Sequence, residues 1–246
     1  MNLETSRILI VGGTRGLGYG AARVLARQGA EVTILSRSPG PRCTEESGAR
    51  LVRGDAADRA LSDRLLSETA PHAILVAAGA APAMGTIDRL TWDAFETNWR
   101  SDVRIAFTWV QASLAASLPA GAHLILVSSG AALDGSPLSG GYAGAKATVM
   151  FLARYADVRA RELGRDLAVR SLAPCQMAPG TGVGEAGAAA YAARAGLTRQ
   201  EFFARFGPHL TPEVFGRAVA DLLWSESPEA HAFTLTTRTG LQAIPA

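Results

Sequence analysis

Short apolar runs recur along the chain: Arg7 to Gly12 (RILIVG), Glu31 to Ser36 (EVTILS), Ala49 to Gly54 (ARLVRG), Ala73 to Ala78 (AILVAA), His123 to Ser128 (HLILVS) and Leu167 to Leu172 (LAVRSL). They are continuously apolar instead of alternating, which suits strands buried on both faces of a parallel sheet. Between them, helix-compatible segments fall at roughly 16–29, 57–69, 91–118 and 140–163, with another at about 211–225. Strand and helix repeated this way imply right-handed crossovers. The expected fold class is α/β, a doubly wound parallel sheet of about seven strands with helices on both faces, as one domain over residues 1–246. The segment at about 174–210, rich in Gly and Ala and only weakly helical in pattern, breaks the rhythm and is the candidate substrate lid.

Composition narrows the function. The 246 residues are 48% hydrophobic and 19% charged, with a formal net charge of +2. Charges of both signs are dispersed without a basic block, which argues against nucleic acid as a partner. Ile105 to Leu133 holds no Asp, Glu, Lys or Arg. It is interrupted by Gln111, Leu118-Pro119-Ala120-Gly121 and His123, so it reads as helix end, turn and strand and not as a membrane span. Cys43 and Cys175 form no metal-ligand or redox spacing, and both read as buried packing residues in a reducing compartment. The start, MNLETSRILIVGG, lacks signal-peptide features, and a cytoplasmic location is expected. His72, His123, His209 and His231 fall in no ligand-like cluster, no metal site is expected, and Trp92, Trp99 and Trp109 read as core.

Three stretches carry chemistry. VGGTRGLG, Val11 to Gly18, follows a strand and opens a helix, the setting in which glycines let the backbone approach a pyrophosphate at a helix N-terminus. Gly12, Gly16 and Gly18 are its glycines, with Thr14, Arg15 and Leu17 between them. At the end of the second strand, where an NAD site usually places an acid, stand Ser36 and Arg37. Together with Arg15 they favour a ribose 2′-phosphate, hence NADP(H).

YAGAK contains Lys146, the only lysine among 24 Lys and Arg residues. On a helix, Tyr142 and Lys146 at i and i+4 share a face. A cation beside a phenol lowers its pKa from about 10 towards neutrality, making it a usable general acid or base. Ser129 lies 13 positions before Tyr142, and that spacing selects it over its neighbour Ser128.

In order and spacing these stretches resemble the short-chain dehydrogenase/reductase family in its compact, single-domain Rossmann form. RGDAAD looks like the acidic turn after the third strand, where the resemblance implies that Asp55 and Ala56 contact adenine. TNWRSD offers Asn98 at the family's helix asparagine. The resemblance further implies Tyr142 as proton donor to a carbonyl, Ser129 bonding the same oxygen, Lys146 on the nicotinamide ribose, and Asn98 anchoring a relay water. Two stretches depart from the pattern. The family's Asn-Asn-Ala-Gly is here VAAG, Val76 to Gly79, keeping Ala78 and Gly79 for the cofactor but losing the asparagines that brace the sheet. Its Pro-Gly is Pro174-Cys175, and its loop threonine is displaced, with Thr181 nearest.

The expected function is NADPH-dependent reduction of a ketone or aldehyde to an alcohol. Met177, Tyr191, Phe202, Phe203 and Phe206 of the lid, with Leu138 and Trp99, suggest an apolar pocket for this small-molecule substrate. Alternatives are an alcohol-oxidising dehydrogenase, a non-catalytic NADP(H)-binding sensor or assembly protein, or an epimerase, for which the chain has little room. The resemblance also implies a homo-oligomer, dimer or tetramer, built through the long helices near 91–118 and 140–163.

Overall fold

The computed structural model describes residues 3–40, 46–205, 208–224 and 230–245. Cys43 and Phe206 lie outside them.

Eight strands form one sheet in the order β3-β2-β1-β4-β5-β6-β7-β8. They are β1 (Arg7–Val11), β2 (Glu31–Ser36), β3 (Arg50–Arg53), β4 (Ala73–Val76), β5 (Ala122–Val127), β6 (Leu167–Pro174), β7 (Ala232–Thr236) and β8 (Gly240–Ala243). Every neighbouring pair is parallel except β7 with β8. The expected strands are all present, and the sheet is one strand larger than the expected seven. β7 and β8 both fall outside the six apolar runs, and the antiparallel edge β8, which takes the sheet beyond seven strands, has four largely exposed residues, GLQA.

The apolar runs are continuous because both faces of each strand are covered. Ile8 and Ile10 of β1 join one core with helix α1 (Gly16–Arg27) and the helix Pro212–Trp224. Leu9 and Val11 point the other way, into a second core with the helices Arg59–Thr69, Arg104–Ala115 and Gly140–Glu162. α1 and Pro212–Trp224 approach so closely that a Cβ on Gly20 would stand 2.0 Å from the Pro212 carbonyl oxygen. Glycine at position 20 is what permits that packing.

The single helix expected over 91–118 is three pieces: a turn at Trp92–Phe95, a π-helical turn at Trp99–Val103, and Arg104–Ala115. Such widened turns are common at functional sites. Only Trp109 of the three tryptophans is core, fully buried; Trp92 is 69% and Trp99 40% exposed, so those two core assignments are corrected. Two helices, Gly182–Arg194 and Arg199–Ala204, stand where the lid was expected. They were hard to read because Gly182–Arg194 buries only a narrow small-residue stripe of Gly184, Gly187, Ala188 and Ala192. A small separate core of Ala188, Ala192 and Phe202, backed by Met177, Tyr191 and Phe203, joins the two.

Among the described residues no helix is long and apolar enough to cross a membrane. Nor does any group of His, Cys, Asp and Glu among them suit a metal ion.

Candidate active site

A cleft of about 810 Å³ opens along the carboxyl ends of the strands, around the point between β1 and β4 where the strand order reverses. In doubly wound sheets that crevice is where ligands bind.

The glycine loop forms its floor. Gly12 has φ +90°, and a Cβ there would sit 2.6 Å from Ala78 N; a Cβ on Gly18 would sit 2.2 Å from Gly12 O. The loop therefore presents bare backbone at the N-terminus of α1. Thr14, Arg15, Gly16 and Leu17 also line the cleft, and Thr14 Oγ1 meets Ser36 Oγ at 3.0 Å, tying the loop to the end of β2. Arg15 and Arg37 are both exposed on this side.

The next wall is the turn after β3. Asp55 accepts the Ala57 N–H at 2.9 Å through its own side chain, and Ala56 O accepts from Trp109 Nε1 at 3.0 Å. Trp109 thus does more than fill the core: its indole N–H pins a turn that lines the cleft.

Another wall lies beyond β5. Tyr142 and Lys146 sit on one face of the long helix, with Lys146 Nζ 5.7 Å from the Tyr142 ring centre. Ser128 is buried and donates from Oγ to Lys146 O at 2.8 Å, so it serves the fold. Ser129 is half-buried and faces the cleft, its Oγ accepting from Ala131 N at 3.3 Å. Ala78, Gly79 and Pro174 complete the strand-end rim.

Asn98, 1% exposed, does not line the cleft directly. Its Nδ2 donates to Ala80 O at 3.0 Å and approaches Asp102 Oδ1 at 3.4 Å. The loop after β4 is braced from the π-helical turn, where Asp102 Oδ1 accepts from Ala80 N at 2.9 Å and Ser101 Oγ at 2.6 Å. Asp102 Oδ2 stands 3.0 Å from Lys146 Nζ. Sequence reasoning passed over Asp102. The available signal was an acid one helical turn after Asn98 with apolar Val103, Ile105 and Ala106 around it.

Cys175 corrects the expectation of a buried filler. It is exposed, at the cleft wall, with Sγ 3.3 Å from Ala173 O as donor. Partial burial pushes its thiol above the usual range, although a backbone hydrogen bond acts against this, so the less nucleophilic protonated form dominates.

Part of the segment after β6, between residues 175 and 202, lines the far side. Met177, Tyr191 and Phe202 line the cleft, and the Tyr191 hydroxyl bonds Ser136 Oγ at 2.7 Å. Phe203 packs behind them, Leu138 is buried, and Trp99 faces outward instead of lining the pocket. Thr181 caps its helix, accepting from Gly184 N at 3.0 Å while donating to Ala178 O at 2.7 Å. No histidine lines the cleft among the described residues.

Comparison with known proteins agrees with this architecture. The chain is 30% identical over 168 residues to the uncharacterized oxidoreductase YghA of Escherichia coli, a match covering 62% of this chain and 56% of that protein's length. Among solved structures, it resembles a short chain dehydrogenase from Burkholderia cenocepacia in complex with NADP, with TM-score 0.75 at 23% identity over 95% of this chain and 97% of that one. It also resembles the 3-oxoacyl-[acyl-carrier protein] reductase of Brucella melitensis in complex with NAD, with TM-score 0.74 at 21% identity over 94% and 95% of the two chains. The short chain dehydrogenase family model matches residues 6–188. That segment runs from β1 through the glycine loop and YAGAK to Ala188, and with it this chain belongs to the short-chain dehydrogenase/reductase family.

Proposed function

We propose that this protein is a single-domain NADP(H)-dependent reductase that converts a ketone or aldehyde to an alcohol. The observation that carries the reading is one cleft in which a bare-backbone glycine loop, Ser129, Tyr142 and Lys146 converge. The residues fit a dinucleotide, since glycine at positions 12 and 18 lets the loop fold tightly on itself and line the cleft with bare backbone at the N-terminus of α1. Gly12, Thr14, Arg15, Gly16, Leu17 and Gly18 would hold that pyrophosphate. Asp55 and Ala56 would take the adenine, while Ala78, Gly79 and Pro174 would border the nicotinamide half. Arg15, Arg37 and Ser36 would receive a ribose 2′-phosphate through charge-assisted bonds, which is the ground for preferring NADP(H).

When bound, the reduced nicotinamide supplies a hydride to the carbonyl carbon. Tyr142 donates the phenolic proton to the carbonyl oxygen, and Ser129 hydrogen-bonds that oxygen as its charge grows. Lys146 holds the nicotinamide ribose and keeps a positive charge near the phenol. Asn98 acts from behind by fixing the loop at Ala80. Met177, Tyr191 and Phe202 would exclude water from an apolar substrate, which is the role we assign to the lid. A homo-oligomer assembled through the Arg104–Ala115 and Gly140–Glu162 helices and a cytoplasmic setting belong to the same proposal. Exposed Phe107, Phe151 and Tyr155 on those helices support the first of these.

The test is fluorescence titration with NADPH and NADH, followed by NADPH consumption across cyclic, aromatic and acyl-thioester ketones. Tighter NADPH than NADH binding is expected, with a loss of at least about 100-fold in turnover for Tyr142→Phe. Undiminished turnover by Tyr142→Phe would overturn the assignment.

A further inference from the structure

Lys146 is 7% exposed, and its ammonium has three N–H donors. One reaches Val127 O at 3.1 Å, a neutral acceptor at the end of β5. The other named partner is Asp102 Oδ2 at 3.0 Å, and Asp102 is itself 3% exposed. Asp102 does not wander. Its second oxygen is held by Ala80 N, Ser101 Oγ and Asn98 Nδ2, all neutral donors, so the carboxylate is locked in place before it meets the lysine.

Elements packed around the ammonium contribute few other charges. The long helix adds Tyr142, and the β5 end and the Gly79–Ala80 loop present neutral groups. Burial alone would push Lys146 down towards the neutral amine. The charge of Asp102, then Tyr142 and the Asp102 hydrogen bond, outweigh it and leave the lysine raised.

We propose that Asp102 is a positioning residue for the reaction described above, clamping the Lys146 ammonium in its charged form between the loop after β4 and the end of β5. Its value to catalysis rests on that reading, but the clamp itself does not. The geometry also accounts for lysine at this position in an arginine-rich chain. A compact ammonium places two N–H groups on Asp102 and Val127 and keeps its third for a ligand, whereas a planar guanidinium is too large for the same gap.

The single lysine makes the test clean. Protein labelled with 13Cε-lysine gives one side-chain signal, to be titrated without cofactor from about pH 6 to about pH 11 in parent, Asp102→Asn and Asp102→Glu. The parent signal should titrate above free lysine. Asp102→Asn should move its midpoint down by at least about two pH units, and Asp102→Glu, which restores the charge, should recover at least about half of that shift. If Asp102→Asn does not fold, the parent titration decides alone: a midpoint below free lysine overturns the proposal.

An unchanged midpoint in folded Asp102→Asn also overturns it, even if the variant melts early, because a merely structural role lowers the melting point without moving the lysine. In turnover, Asp102→Asn should approach the parent at low pH and lose activity progressively as pH rises and the lysine discharges. Failure of Tyr142→Phe to slow turnover would sink the reaction reading and leave the lysine titration standing.

Discussion

Trp109→Phe tests how the core reaches the site. The indole is fully buried, and its Nε1 donates to Ala56 O at 3.0 Å. Phenylalanine keeps the aromatic ring but leaves the carbonyl of a packed turn without that donor, a penalty of about 1–3 kcal/mol. The smaller side chain also leaves a void of about 40 Å³, which at about 24 cal/mol per Å³ adds about 1 kcal/mol. The expected loss is therefore about 2–4 kcal/mol, or about 5–15 °C in melting temperature for a chain of this size. Urea unfolding followed by circular dichroism measures it without relying on the tryptophan that was removed. Because Ala56 lines the cleft, NADPH affinity should fall in the same variant. A stability loss below about 0.5 kcal/mol would refute the reasoning, since it would mean that the carbonyl finds another donor and the core closes without cost.

Other substitutions probe separate links. Gly18→Ala puts a Cβ 2.2 Å from Gly12 O, so calorimetry should find cofactor binding weakened at least about 100-fold while the far-UV spectrum stays native. Lys146→Arg preserves charge but not shape, and kcat should fall at least about 100-fold; near-parent kcat would break the link between the lone lysine and the chemistry. His123 is pushed down to about 4, chiefly by burial and then by Arg170, so the unfolded chain binds the extra proton between about pH 6.5 and about pH 4. Stability should therefore rise with pH across that window, and His123→Gln should flatten the rise in unfolding free energy from urea melts by up to about 3 kcal/mol.

The sheet was legible because strands covered on both faces are written as unbroken apolar runs, and the glycine loop because close backbone approach tolerates no other residue. β8 was not, since an exposed edge strand is specified by its partner β7 and by the turn at Thr236–Gly240 more than by its own residues. The break near Trp99 escaped notice because a π-helical turn changes the helix by one residue without changing which residues are apolar. Asp102 was hidden for a related reason: its meaning lies in Lys146, distant in sequence and adjacent only after folding. Cys175 was misread because a small apolar residue after a buried strand looks the same whether it packs or faces a cleft.

The packing of Pro212–Trp224 against α1 at Gly20 sets an order of events on the ribosome. The glycine loop sits on a helix whose supporting partner is made almost two hundred residues later. Until that partner emerges, α1 carries an uncovered apolar face of Ala21, Val24 and Leu25, and the nascent chain holds a nucleotide-binding sequence without a settled nucleotide-binding shape. A site whose glycine loop is written long before its supporting helix is thus completed only once that helix has docked.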